Sequence, residues 1–251
     1  MTREERVMLD AYRRVAPVAL EAGGAVVMLF PRAPDSPMLN RAVGLGVDAP
    51  ATEADVDAVL EAFGEGIAFY VAASPTAQPP ELPGWLASRG LEPGWGWMTF
   101  ARGVDVPERR PTTLELRAVE TDADTAAFAR IVRTGYGLPE ATEPTIARAP
   151  AAGWRCWLAL AGEEPASAAA MYVGERAAYL GFAATLPEHR GKGAQNALLA
   201  ARIEQAAALG CDVVITETGE RREDRPSSSY RNILRAGFEE VAVTANWLGR
   251  T

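Results

Sequence analysis

The stretch Leu180-Gly-Phe-Ala-Ala-Thr-Leu-Pro187-Glu-His189-Arg190-Gly191-Lys192-Gly193-Ala194-Gln195-Asn196-Ala-Leu-Leu199 decides how this chain is read. It predicts a strand, a proline, a glycine-rich turn and an amphipathic helix in immediate succession. Glycines at 191 and 193 let the backbone approach a ligand closely and turn several N–H groups one way. Those groups lie at the positive end of a helix, and together they favour an anion, typically phosphate. Arg190 and Lys192 add positive charge beside them. Two common phosphate motifs do not fit. A P-loop requires Ser or Thr after Gly-Lys, where Gly193 stands, and a dinucleotide fingerprint requires Gly or Ala where Asn196 stands. A second run, Gly44-Leu-Gly46-Val-Asp-Ala49, matches the fingerprint loosely. Pro50 follows it and no acidic partner lies in strand context, so no nucleotide site is expected there.

Outward from the loop, Trp154–Ala161, Ala166–Val173 and Ala177–Thr185 read as consecutive strands. The loop helix runs from about Gly193 to Leu209 and stops at Gly210. A strand over Cys211–Glu217, a helix over Ser228–Ala236 and a strand from Phe238 complete this half. It opens with a strand at Leu114–Val119 and helices over 122–134 and 142–152. Before it, a helix over 3–21 and strands over 24–30 and 41–47 are expected. Thr52 with Asp55 reads as a capping box ahead of Val56, Val59, Leu60 and Phe63. A strand at Ile67–Ala72, a short helix near Pro83–Ser88 and an aromatic strand Trp95–Phe100 follow. The polar, proline-bounded segment Arg102–Pro111 reads as the joint between domains 1–105 and 112–251. Ala87-Ser-Arg-Gly90-Leu91-Glu92 and Leu234-Arg-Ala-Gly237-Phe238-Glu239 repeat one pattern. Each lies a similar distance after a helix-ending glycine, Gly66 or Gly210. The halves read as a diverged internal repeat, with a chance likeness as the alternative.

Composition sets the limits. The chain has 251 residues, 48% apolar and 23% charged, with a formal net charge of -8. That excludes wholesale disorder and suits one large or two small domains. No stretch approaches the ~18 apolar residues of a membrane span. Met1–Met8 carries both signs of charge and Glu21 interrupts the apolar run from Val15, so no secretory signal is read. Cys156 and Cys211 lie far apart and frame no disulfide scaffold, which points to reduced, buried thiols in a cytoplasmic protein. Among 25 basic residues Lys192 is the only lysine, and the only histidine, His189, stands three residues before it. One histidine and two distant cysteines give no zinc cluster, and a carboxylate-bound metal stays open. The acidic balance argues against nucleic acid, which needs clustered basic charge, but leaves room for a small anion held locally. His189 reads as an exposed loop side chain. The run Glu220-Arg-Arg-Glu-Asp-Arg225 is mixed in sign and reads as a solvated loop that can also rim a substrate site.

Pro187-Glu-His-Arg-Gly-Lys-Gly-Ala-Gln195 resembles the acyl-CoA pyrophosphate loop of the GNAT superfamily of N-acyltransferases, whose pattern is Arg/Gln-x-x-Gly-x-Gly/Ala. Arg190 and Gly193 fit; Gln195 replaces the final small residue. The resemblance covers about residues 112–251, including the helix-Gly-Phe unit at Gly237-Phe238. The first half would then be a degenerate copy, since no such loop precedes its helix.

The resemblance implies an α/β fold of two units, each a mixed, mostly antiparallel twisted sheet flanked by helices, with a splayed central strand pair in the C-terminal unit. It implies acetyl-CoA as co-substrate, no metal, and acetyl transfer to a primary amine of a small-molecule acceptor in a ternary complex. Ala183, Ala184 and Thr185 would bond the pantetheine arm through their backbone. Arg190, Gly191, Lys192, Gly193, Ala194, Gln195 and Asn196 would cradle the pyrophosphate. Ser229 and Asn232 would reach pantetheine or adenylate, or only cap and solvate their helix. Glu217 stands where some members place the general base, and equally reads as a solvated strand-end carboxylate. The family's thiolate-protonating tyrosine corresponds to Ile233, so Tyr230, one turn earlier, or water would take that part. Two other functions stay open: a non-catalytic acyl-CoA-binding or interaction protein, and an unrelated phosphate-binding α/β protein. The oligomeric state is open too, a homodimer among the options, with neither nucleic acid nor membrane as a partner.

Overall fold

A computed structural model describes residues 1–105, 107, 111–224 and 227–251. Val106, Glu108, Arg109 and Arg110 of the expected joint, and Arg225 of the mixed-charge run, lie outside the described residues. Along the chain the elements run α1 (Arg3–Val15), β1 (Val18–Ala22), β2 (Ala25–Leu29), β3 (Arg41–Val43), α2 (Glu53–Phe63), β4 (Ala68–Ala73), α3 (Leu82–Ser88), β5 (Glu92–Pro93) and β6 (Trp97–Arg102). Then come β7 (Glu115–Ala118), α4 (Asp122–Tyr136), α5 (Glu143–Ile146), β8 (Arg155–Ala161), β9 (Glu164–Gly174) and β10 (Ala177–Thr185). The chain closes with α6 (Ala194–Ala208), β11 (Val213–Gly219), α7 (Ser228–Arg235) and β12 (Glu239–Arg250).

Two departures from the sequence reading have local causes. The helix expected over 3–21 ends at Val15, and Val18–Ala22 is instead β1, paired antiparallel with β2. Pro17 explains the stop: it lacks an N–H for the helix and pushes the residue before it to extended backbone. The helix expected over 142–152 shrinks to Glu143–Ile146 followed by turns, ahead of Pro150 and Gly153.

The chain divides into two compact units. One comprises Met1–Thr2, Ala16–Thr99 and Ala242–Thr251; the other comprises Arg3–Val15 and Phe100–Val241. These are not the contiguous segments 1–105 and 112–251. The first helix is counted with the second unit, and the last ten residues with the first.

In the first unit, β1 and β2 form a hairpin, β3 pairs antiparallel with β2, and β4 runs parallel to β3 after the α2 crossover. The Ala245–Arg250 stretch of β12 closes the order by pairing antiparallel with β4. The core joins Val27, Leu45, Val56, Val59, Phe69, Leu82 and Leu86, with Phe63 stacked on Phe69 at 4.0 Å. The glycine run at 44–46 is a packing feature: a Cβ on Gly46 would stand 2.4 Å from the Gln78 carbonyl oxygen.

The second unit follows the same succession. β8 and β9 form a hairpin, β10 pairs antiparallel with β9, and β11 runs parallel to β10 after the α6 crossover, with α7 next. β7 extends the sheet beyond β8. Phe128, Ile131 and Val132 of α4 are buried in this unit with Leu158, Met171, Leu198 and Ile203.

Candidate active site

The site of the second unit begins where two strands part. β10 and β11 pair from Ala177–Val213 to Leu180–Thr216, and the Thr216 hydroxyl ties the last rung by donating to the Leu180 carbonyl at 3.0 Å. Among the described residues no ladder pair joins them further, so 181–185 and 217–219 diverge. On its other edge β10 carries a bulge. Between Gly181–Ala170 and Ala184–Ala168, three residue steps on β10 face two on β9. Phe182 sits in that bulge at φ +52°, a left-handed conformation that non-glycine residues seldom adopt and that such insertions demand. Its ring is wedged between Phe128 at 6.0 Å and Trp154 at 4.9 Å.

The bulge leaves strand carbonyls to be satisfied, and Arg202 does so. This α6 side chain is 1% exposed, yet its bonds go to carbonyls: Leu198 at 3.0 Å, Ala170 at 3.1 Å and Gly181 at 3.5 Å. Burial pulls the guanidinium down to about 10. Tyr136, in the last turn of α4, brings its hydroxyl to the Ala183 N–H near Arg202. α4 comes this close because Gly135 has no side chain; a Cβ there would lie 2.5 Å from that of Ala184.

β10 runs straight into the glycine loop. Arg190 is extended, and Gly191 and Gly193 take φ +80° and +83°, so the chain enters α6 through a left-handed N-cap. No side chain caps α6 and no acidic residue stands in its first turn. Its leading N–H groups, from Gly193 to Asn196, therefore keep their positive end for a ligand. The contrast with α2 is direct. There Thr52 and Asp55 close a full capping box, and the Asp55 carboxylate occupies the helix N-terminus.

Gln195 turns back from the loop, donating to the Thr185 hydroxyl at 3.0 Å and to Ser167 at 3.4 Å. Ser167, buried, donates to the Ala184 carbonyl at 2.6 Å. Ala183, Thr185 and Ala194–Asn196 are thus held around one strand-to-helix corner, with Arg190 and Lys192 exposed beside it. His189 is a correction: it is buried, not exposed, because its imidazole packs under the loop. Its Nδ1 meets the Lys192 ammonium at 3.2 Å, and its Nε2 faces Glu164 at 3.6 Å.

Glu217 stands at the start of the diverging part of β11. Its Oε2 accepts from the Tyr12 hydroxyl of α1, and Tyr179 of β10 lies 3.3 Å from the same oxygen. The two hydroxyls are 2.6 Å apart, with ring centroids at 5.4 Å. Burial, together with the negative charge of Glu217, pushes the Tyr179 hydroxyl well above its ordinary range. Tyr230 is placed differently. Its hydroxyl donates to Glu240 at 2.6 Å, its ring stands edge-on to Phe100 at 4.8 Å, and burial with that bond pushes it up to about 12. Ser229 is exposed and Asn232 half-buried on the same helix. Sequence reasoning missed Tyr12, Tyr136, Tyr179, Ser167 and Arg202. Only Tyr179 and Ser167 carried a signal, as positions on strands adjoining the loop.

Residues 125–225 match the model of the Acetyltransferase (GNAT) family. That segment is similar to a GNAT acetyltransferase domain. Solved structures share the fold over nearly the whole length. A GCN5-related N-acetyltransferase from Kribbella flavida is 22% identical, with 99% of this chain and 94% of that one covered at a TM-score of 0.67. A tandem GNAT protein from the clavulanic acid biosynthesis pathway is 16% identical, with 96% and 86% covered at 0.64. A GNAT-family protein described as an acetyltransferase from Novosphingobium aromaticivorans is 18% identical, with 100% of both chains covered at 0.63. A search of curated proteins found no match. Among the described residues no cluster of His, Cys, Asp or Glu could hold a metal ion, and no helix is long and apolar enough to cross a membrane.

Proposed function

We propose that the second unit transfers an acetyl group from acetyl-CoA to a primary amine of a small-molecule acceptor, by direct attack in a ternary complex. The observation that carries this reading is the uncapped N-terminus of α6 set against the diverging end of β10. The corner offers N–H groups to a pyrophosphate and, alongside, a strand edge at 183–185 that β11 leaves without a ladder partner, for a pantetheine arm. Bound acetyl-CoA supplies the activated acyl carbon. The chain's own part is to orient it and to manage protons.

A protonated amine is not nucleophilic, so the attacking nitrogen needs a base. Glu217 fits that part: it follows the last residue of β11 that pairs with β10, and its Oε1 is free of hydrogen bonds among the described residues. Tyr230 is a poor acid while it donates to Glu240, so the leaving thiolate takes its proton from solvent. That engaged tyrosine, with Ile233 at the usual position, is what favours the second reading of a protein that binds acyl-CoA without fast transfer. The free, buried cysteines suit a reducing compartment such as the cytoplasm.

Calorimetric titration with acetyl-CoA tests the proposal. The wild type is expected to bind. Gly193→Asp is expected to lose binding, because it puts a carboxylate and a strained left-handed residue where the pyrophosphate would sit. Unchanged binding in that variant, or tighter binding of a nucleoside triphosphate than of acetyl-CoA, would sink the reading. Thiol release that Glu217→Gln abolishes excludes the non-catalytic alternative.

A further inference from the structure

Tyr12 lies outside the family-matched segment 125–225 and 205 positions before the carboxylate it bonds. It reaches the site because α1 belongs to the second unit. Val7, Ala11 and Val15 of α1 are buried, and its outer edge is pinned by Arg3 to Asp212 at 2.9 Å and by Arg6 to Glu175 at 2.9 Å. The Tyr12 ring is set edge-on to Tyr179, and Tyr179 edge-on to buried Trp154 at 5.8 Å. The donor therefore has little freedom to move away.

We propose that Tyr12 is a positioning residue of the catalytic centre: it anchors Glu217 through Oε2 and so aims Oε1 at the proton of the acceptor amine. The inference rests on the acyl-transfer reading above. A carboxylate has two oxygens and about four lone-pair directions. Here both neighbouring hydroxyls gather on one oxygen, which fixes the rotation of the group and leaves Oε1 without a hydrogen bond among the described residues. In the step that follows, the amine nitrogen forms a bond to the acyl carbon, an N–H proton passes to Oε1, and the C–S bond breaks with its electron pair on sulfur. A base held at one angle makes this attack closer to unimolecular than a swinging one. Tyr12 on α1 and Tyr179 on β10 face the carboxylate, and Tyr179 also feels Tyr136 on α4, which in turn feels Arg202 of α6. Asp10, also on α1, is bonded to Tyr172 and Arg14 instead.

The test compares wild type, Tyr12→Phe, Glu217→Gln and the double variant. Acetyl-CoA affinity is measured by calorimetry, and thiol release from acetyl-CoA is followed against pH with ethylamine and with water as acceptors. Tyr12→Phe removes one oxygen and keeps the ring. It is expected to bind acetyl-CoA as the wild type does and to lower kcat about tenfold. The loss is expected on kcat with the KM for ethylamine unchanged, because the acceptor keeps its site and only the aim of the base is lost. In the Glu217→Gln background the same change is expected to do nothing further. Wild-type rates at every pH, or an equal further loss in that background, overturn the inference and leave the proposed function standing. A wild type that binds no acetyl-CoA, or binds it without accelerating thiol release, overturns the proposed function itself. Should Tyr12→Phe not fold, Tyr179→Phe strips a hydroxyl from the same oxygen. The same fall in kcat at unchanged KM supports the inference, and wild-type rates overturn it.

Discussion

At the scale of single residues, the second unit is marked by polar groups whose partners are tyrosines and backbone carbonyls. Tyr172, Tyr179 and Tyr230 are each 6% exposed or less, and they donate to the carboxylates of Asp10, Glu217 and Glu240 respectively. Burial and those bonds push Tyr172 and Tyr230 up to about 12. A phenol whose folded value is raised above the unfolded one, about 10, holds its proton more tightly in the folded state. Its contribution to stability is then complete below pH ~10 and is lost as pH climbs through the folded value. Stability is therefore expected to fall between pH ~10 and ~12, with tyrosinate absorbance rising together with loss of folded signal. Absorbance and circular dichroism followed on one alkaline titration check this. Full tyrosinate development near pH 10 with the fold intact would show these hydroxyls to be free.

At the scale of elements, the comparison of α2 with α6 shows what the sequence carried and what it did not. Both helices cross over between parallel strands, and both starts were legible: Thr52-x-x-Asp55 as a capping box, and Arg190-x-x-Gly193 as an open one. Local chemistry fixes such starts, so residue order is enough to read them. Thr52→Ala is accordingly expected to cost about 1 kcal/mol of stability while leaving acetyl-CoA affinity unchanged, since the Asp55 carboxylate occupies the start of α2. Thermal unfolding and calorimetry on the one variant separate the two effects, and a loss of affinity would contradict the assignment of α2 as a closed copy. The elements that were misread depend on tertiary context or on one overlooked residue. The helical pattern of 3–21 outweighed Pro17, and the burial of His189 depends on Glu164 and Lys192 closing around it. Glu217 and the loop stand out as candidates in the sequence because their places follow from the strand and helix order. Tyr12 and Arg202 were not, because nothing in the residue order says that α1 serves the second unit or that a bulge needs a buried guanidinium.

At the scale of the whole molecule, the chain is not two beads on a string, because each compact unit keeps a piece of sequence from the far end. Ala242–Thr251 is counted with the first unit, where Ala245–Arg250 pairs with β4 and the Thr251 carbonyl accepts from the Gly66 N–H at 2.9 Å. α1 is counted with the second, where its buried face includes Val7, Ala11 and Val15. Cutting at the proline-bounded joint therefore removes an element from each side. Fragment 1–105 is left with an unpaired edge on β4, a template for aggregation. Fragment 112–251 loses the helix that covers Tyr179 and steadies Glu217. Burying Val7, Leu9 and Val15 is worth several kcal/mol at about 1.5–3 kcal/mol each. That is a large part of the 5–15 kcal/mol that a domain typically has. Neither fragment is expected to melt cooperatively alone, and 112–251 is expected to release no thiol from acetyl-CoA. Adding a synthetic peptide of residues 1–16 to fragment 112–251 is expected to restore part of both signals. A fragment 112–251 that melts at the wild-type temperature and turns over at the wild-type rate would show that α1 contributes neither to the stability of the second unit nor to its chemistry.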